Sequence, residues 1–394
     1  MGLPPVRMKA LVVLTQPPLL EGGAPGRCAV ALLRGLRAHG VDVVALAARQ
    51  HFAVGGEPPE DLPVRVVPVE PEPQGWRARA NRVRRPRGDL GRGRFSVLVR
   101  EEAAGADVVH LEETETAWCD EGTSIPSLVH MHYLIRRDRS WLPPWRREGR
   151  FLLETLLAER AAIRRHRYLV ASSPLIAEEL RRRAPEADVV LAPLSLEPSH
   201  YRPAPLHGPP TAGLIGTAGW PGTARAAERL ATSIWPQIRR SVADARLVIA
   251  GRGTDRLGLP PARDVDVLGE VESAADFLAG LSLLLFPVER GSGMKVKVLE
   301  AIATGVPVVT TPVGAEGIDA GEGVVVETSD EALAAAAAGI LADAGERRER
   351  GAAAREAFLR RYAPEPATLP LVELYRRMAG EAAPAPSRPR TRSA

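Results

Sequence analysis

Short runs rich in Val, Leu and Ile alternate along this chain with longer stretches of helical apolar spacing, the pattern of a parallel sheet wrapped by helices. Strands are predicted at 9–15 (KALVVLT), 41–47 (VDVVALA), 64–70 (VRVVPVE), 106–112 (ADVVHLE), 126–132 (PSLVHMH), 167–173 and 188–194. The pattern pauses at 195–210 (SLEPSHYRPAPLHGPP), where five prolines and no apolar period indicate a linker. It restarts with strands at 211–217, 245–251, 265–271, 281–287, 307–313 and 323–328. The expected fold is therefore α/β, two Rossmann-like doubly wound parallel sheets. The first domain is predicted at 8–195, the linker at 196–210 and the second domain at 211–365, closed by alanine-rich helices within 330–361. An amphipathic helix at 366–380 follows, and the proline-rich tail at 382–394 is expected to be disordered.

A chain of 394 residues is too long for one ordinary domain and suits two. No apolar run approaches the ~18 residues of a membrane-spanning helix, and no basic-then-apolar leader begins at Met1, so a cytoplasmic protein is expected. Cys28 and Cys119 form neither a disulfide framework nor a metal-ligand spacing. Net charge is +4, and only three of the 52 basic residues are lysine: Lys9, Lys295 and Lys297. In a chain that otherwise writes its positive charge as arginine, two lysines that close together call for a local reason.

That locality is GSGMKVKVLEAIATG, residues 291–305, between the apolar strand LSLLLFP and another strand. Gly291-Ser292-Gly293 then forms a tight turn from strand to helix at the C-terminal end of a parallel sheet, where α/β ligand sites lie. Bare amides there can cradle a diphosphate. Lys295 and Lys297 are expected in the helix's first turn, where each opposes the macrodipole by roughly 0.3–1 kcal/mol unless an anion sits in front of them. Arg290 adds a fork-shaped donor for the same oxygens. Glu300, three residues after Lys297, could accept both hydroxyls of a ribose. The plain alternative is an ordinary glycine turn with solvated lysines and a surface glutamate.

Residues 290–318 (RGSGMKVKVLEAIATGVPVVTTPVGAEGI) resemble the donor-site signature of glycosyltransferase family 4, retaining enzymes of the GT-B fold. Residues 216–253 are similar to the opening of that family's C-terminal domain, LGEV at 268–271 to its base-contacting turn, 20–46 to its glycine loop and first helix, and GADVVHLE at 105–112 to a later strand. The resemblance implies two Rossmann-like domains facing across a cleft, with the C-terminal helix returning to the first. It implies that Glu300 binds the donor ribose, and that Ser292, Gly293, Met294 and Lys295 meet donor phosphates or sugar. Gly22 and Gly23 would close over the diphosphate, and Gly216, Thr217, Gly269 and Val271 would border the nucleotide. His132 matches a histidine that contacts the donor sugar. Two departures stand out: Ser292 occupies the place of a family glutamate, and the phosphate-binding Arg and Lys after the first C-terminal strand fall near Thr217 and Thr223. Arg290, Lys295 and Lys297 are expected to supply the missing charge.

The implied activity is retaining hexosyl transfer from a nucleoside diphosphate sugar to an acceptor hydroxyl, of the kind that builds polysaccharides, glycoconjugates or natural products in bacteria. The sugar nucleotide is a co-substrate, and neither cofactor nor metal is expected. His132, Arg290, Lys295 and Lys297 are the candidate catalytic groups. His130 and His132 share a strand face, but no third ligand is spaced nearby for a metal. Glu112, Glu113 and Glu115 stand outside the expected site. Arginines are dense at 77–100 and 136–150, with Trp76, Trp141 and Trp145 among them. They suit an anionic acceptor or an anionic membrane surface at the inner face, or are simply solvated. The acceptor class stays open between small-molecule, lipid-linked and glycan, and nucleic acid is not expected. The competing functions are a catalytically silent nucleotide-binding subunit and a sugar-nucleotide epimerase of the same fold.

Overall fold

The computed structural model describes residues 8–50, 55–70, 89–139, 145–203 and 209–382, with a few positions between them. The residues before Met8, the expected disordered tail beyond Ala382, Trp141 and most of the arginine-rich stretch at 77–88 lie outside the described residues.

All thirteen expected strands are present. β1 (Lys9–Leu14), β2 (Asp42–Arg49), β3 (Val64–Pro68), β4 (Val108–Glu112), β5 (Ser127–Met131), β6 (Tyr168–Ala171) and β7 (Asp188–Leu191) form one parallel sheet in the order β3-β2-β1-β4-β5-β6-β7. β8 (Thr211–Ile215), β9 (Arg246–Ala250), β10 (Val265–Gly269), β11 (Leu283–Phe286), β12 (Val308–Thr310) and β13 (Val324–Val326) form a second, ordered β10-β9-β8-β11-β12-β13. Helices cover both faces, which is why β1 and β11 read as unbroken apolar runs and are almost wholly buried.

In each sheet the strand order reverses once, between β1 and β4 and between β8 and β11. Those reversals open a crevice at the strands' C-terminal ends. β4 ends on Glu112, and the chain leaving β1, β8 and β11 carries Gly22, Gly216 and Arg290 respectively.

The C-terminal helix Pro364–Ala382 buries Leu371, Leu374, Tyr375 and Met378 against the helix Ala24–Ala38 and the first sheet. A Cβ on Gly35 would fall 2.3 Å from the Pro364 carbonyl, so the two helices meet as closely as they do only because that residue is glycine. The proline-rich stretch after β7 is more than a tether: Leu196 and Tyr201 are buried in the second sheet's core. Its central residues, 204–208, lie outside the described residues.

Candidate active site

β11 delivers the chain to Arg290 and the turn Gly291–Gly293, and the helix Val296–Thr304 follows. Gly293 has φ 71°, and a Cβ there would lie 1.9 Å from the His132 carbonyl oxygen on the facing domain. Glycine alone fits both demands. The amides from Met294 to Lys297 head the helix and donate to no acceptor among the described residues, as helix N-termini leave them.

Lys297 lies in the first turn, its Nζ 3.0 Å from Glu300 Oε2. Lys295 corrects the expectation of two first-turn lysines. It is the capping residue, and its buried ammonium turns back onto the carbonyls of Gly293 (2.7 Å) and Ser292 (3.2 Å). Burial lowers its pKa, against the opposing pull of Glu316 and Asp138. Arg290 stands exposed on the rim of a cavity of about 200 Å³ that Asp138, Arg139 and Arg225 also line.

Glu300 is wholly buried, unlike the surface glutamate of the plain alternative. Its Oε1 receives Arg27 at 2.7 Å and the Tyr201 hydroxyl at 2.9 Å. Arg27, on the first domain's helix, also donates to the Gly22 carbonyl, so one guanidinium ties the expected glycine loop to the expected ribose carboxylate. Burial alone would raise the pKa of Glu300, but the charges of Lys297 and Arg27 outweigh it and hold it low.

Gly23 caps the helix Ala24–Ala38. Gly216 and Thr217 follow β8, with Gly216 against the Thr223 side chain. Gly269 ends β10 at φ 70° and accepts from the Gly251 amide at 2.6 Å, with half-buried Val271 just beyond. These last two sit on the same sheet edge, separated from β11 by β9 and β8.

Ser292 crosses between the domains. Its hydroxyl donates to Asp138 Oδ1 (2.6 Å) and accepts from the Leu134 amide (2.7 Å). Ser292→Ala would strand both partners, and a loss of about 1–3 kcal/mol in urea unfolding is expected. A loss below about 0.5 kcal/mol, the scale of an ordinary surface change, would contradict that role. Met294 is buried, its sulfur accepting from the Leu194 amide at 3.1 Å. Glu316 accepts the Gly293 amide at 2.9 Å and the Ser173 hydroxyl of the first domain, so the protein's own carboxylate rests on one amide of the turn.

Across the cleft, Glu112 at the end of β4 gathers three histidines. Its Oε1 meets His110 (2.7 Å) and His130 (3.1 Å), and its Oε2 meets His132 (2.7 Å). Glu113, held at φ 64° in the left-handed region, reaches His132 Nδ1 at 3.2 Å. That conformation costs a non-glycine residue about 1–3 kcal/mol and is the kind of strain that clusters at functional sites. Ligand atoms of His110, Glu112 and His130 lie within 4.8 Å of one another, the closest approach to a metal-ligand set among the described residues. They are engaged with each other and, through His110, with Tyr375.

Burial works against a charge on His132, but Glu112 and Glu113 outweigh it and raise the pKa to about 10. With both ring nitrogens facing carboxylates, His132 is an imidazolium at neutral pH and cannot serve as a base. His130 is pushed down to about 4, by burial first. The two act in opposite windows. A raised folded pKa gives His132 a stabilisation complete below pH 6.5 and lost as pH climbs to about 10. A depressed one gives His130 a contribution present above pH 6.5 and lost as pH falls to about 4. Stability should therefore peak near neutrality, with flanks of up to about 1.4 kcal/mol per pH unit. Urea unfolding across pH measures this, and a flat profile on both sides would contradict it.

Residues 23–195 match the model of a glycosyl transferase 4-like domain, and residues 209–343 that of glycosyl transferases group 1. The chain is a glycosyltransferase of the GT-B type. No curated protein sequence matches it. Among solved structures it is similar to Anabaena HepE in complex with UDP and glucose, at 14% identity, covering 93% of this chain and 99% of that one with a TM-score of 0.62. WaaG, a glycosyltransferase involved in lipopolysaccharide biosynthesis, shares 16% identity over 96% and 100% with a TM-score of 0.59. Staphylococcus aureus TarM shares 12% identity over 71% of this chain, which spans 58% of that protein, with a TM-score of 0.53. At such identities the likeness is one of fold.

In this glycosyltransferase the glycine turn, Lys297, Glu300, Gly22 and His132 converge where the two matched regions face each other. Sequence reasoning missed Arg27, Asp138, Tyr201 and Glu316, and left Glu112 outside the site. Glu112 carried a signal: it ends a strand at the sheet's reversal point, level with His130 on the neighbouring strand.

Proposed function

We propose that this glycosyltransferase moves a hexosyl unit from a nucleoside diphosphate sugar to an acceptor hydroxyl with retention at the anomeric carbon. The observation that carries the reading is the row of open amides from Met294 to Lys297 at the sheet's reversal point, flanked by Arg290 and Lys297. The diphosphate lies on those amides, and charge developing on it is stabilised by the two basic side chains and the helix N-terminus, where other enzymes use a metal. The ribose diol takes Glu300 from Arg27, so donor binding loosens one tie between the domains.

The acceptor hydroxyl attacks the anomeric carbon on the face the diphosphate leaves. The carbon–oxygen bond to the diphosphate breaks, its electron pair departs with the nucleotide, and a leaving phosphate oxygen takes the hydroxyl proton. His132, protonated and with both ring nitrogens on Glu112 and Glu113, offers the sugar its positive charge and does not abstract a proton.

A panel of nucleoside diphosphate sugars, read first by thermal shift, then by donor hydrolysis and by NMR of the product's anomeric configuration, tests this. A stabilising donor that is turned over with retention is expected. Inversion would overturn the proposed stereochemistry. Stabilisation without turnover for every donor would favour a silent nucleotide-binding subunit, the second reading, for which the occupied Glu300 speaks.

A further inference from the structure

Two cavities adjoin on the first domain, the inner one facing the cleft, and differ in character. The inner one, about 710 Å³, is walled by Tyr133, Ile135, Phe151, Leu152 and Trp220, the last from the second domain. Its charged lining is mainly acidic: Glu115, Asp138 and Glu148, against Arg139. Asp138 is the residue bonded to Ser292, so one side chain separates this cavity from the glycine turn. The outer one, about 720 Å³, is floored by Leu152, Leu156, Leu157 and Ile163.

The outer cavity's charge is reversed. Arg136, Arg139, Arg160 and Arg164 line it, all exposed and paired with no carboxylate among the described residues. Two further arginines there, Arg182 and Arg183, are bonded to Glu179. The one carboxylate among the described residues that line it, Glu159, is 1% exposed and already taken by Arg183 and the Ile135 amide, each at 2.7 Å. Arg139 and Leu152 line both cavities, so the two lie side by side, with carboxylates on the inner one, apolar side chains where they adjoin and arginines on the outer one.

We propose that the acceptor is an amphipathic anion: a hydroxylated apolar body seated in the inner cavity, with its carboxylate or phosphate held by Arg136, Arg139, Arg160 and Arg164. The reverse orientation would press an anion against Glu115, Asp138 and Glu148. A neutral glycan would leave four cations unanswered. The assignment rests on the glycosyl-transfer reading for the acceptor's direction, though the binding chemistry does not depend on it.

The probe is ω-hydroxylauric acid, an apolar chain with a hydroxyl at one end and a carboxylate at the other, titrated calorimetrically beside the matching diol and inorganic phosphate. The acid is expected to bind about tenfold or more tightly than either, each lacking one half of the recognition. Arg136→Glu, and separately Arg160→Glu with Arg164→Glu, none of them lining the cavity at Arg290, should abolish that preference while UDP affinity stays unchanged, which also reports that the variants are folded. Equal affinity for acid and diol, or full preference surviving in both variants, would overturn the proposal. So would capture of the protein by phosphatidylglycerol vesicles with no binding of the free acid, which would make the arginines a membrane contact. Binding of the acid with no affinity for any nucleoside diphosphate sugar would sustain the anion site and remove the donor reading.

Discussion

Arg27→Ala is expected to destabilise the unliganded protein by about 3 kcal/mol, the lower end of the range for breaking a buried ion pair. Glu300 has no exposure, and Arg27 is its shortest contact, at 2.7 Å. Without the guanidinium, a buried carboxylate keeps the Tyr201 hydroxyl and Lys297, which spares the full penalty. The Gly22 carbonyl loses its donor as well. Adding Glu300→Gln should recover much of the loss, because the stranded charge is then gone, and the coupling between the two changes is the signature of the pair. Urea unfolding of both variants measures it. A loss under about 1 kcal/mol for Arg27→Ala would reduce the contact to that of a surface pair.

Glu112→Gln is expected to be as severe, with a pH dependence of its own. The carboxylate lies 2.7 Å from the imidazolium of His132 and is hydrogen-bonded to His110 and His130. Burial pushes it toward protonation, yet the positive charge of His132 and the other histidines hold it ionised. Its loss leaves a buried cation facing Glu113 alone, at a cost of about 3–5 kcal/mol. Unlike Arg27's carboxylate, the orphan here can escape by releasing its proton. The loss should therefore be largest at pH 6 and shrink toward pH 9, as His132 turns neutral in the variant while staying charged in the wild type. A loss that does not change with pH would mean that His132 is not held protonated by Glu112.

Every strand was legible from sequence because the buried strands of a helix-covered parallel sheet are apolar runs cut off by turns and charged helices. The glycine turn was legible for a related reason: Gly291, Gly293 and two lysines break the local pattern at once. What lay beyond sequence reasoning were the groups that answer those residues from far along the chain. Arg27 looks like one arginine among many, and only the packing of its helix against the second domain turns it toward Glu300. Glu316 sits in a segment similar to the family signature, yet nothing local says that its carboxylate will reach Gly293 and Ser173. The prolines at 195–210 spoke for a linker and concealed that Tyr201 would fill the core and bond Glu300. Lys295 kept its place in sequence but not its expected direction, because the turn's own carbonyls lie nearer than solvent.

The central claim is that the segment from Arg290 to Glu300 binds a nucleoside diphosphate through open amides and the ammonium of Lys297. Calorimetric titration of UDP, and of the other common nucleoside diphosphates, against wild type and Lys297→Ala tests it most directly. The account predicts that the best nucleotide binds at least about tenfold more weakly to the variant, the scale of one charge-assisted contact to phosphate. Undiminished affinity in Lys297→Ala, or no affinity of the wild type for any nucleoside diphosphate, would contradict it.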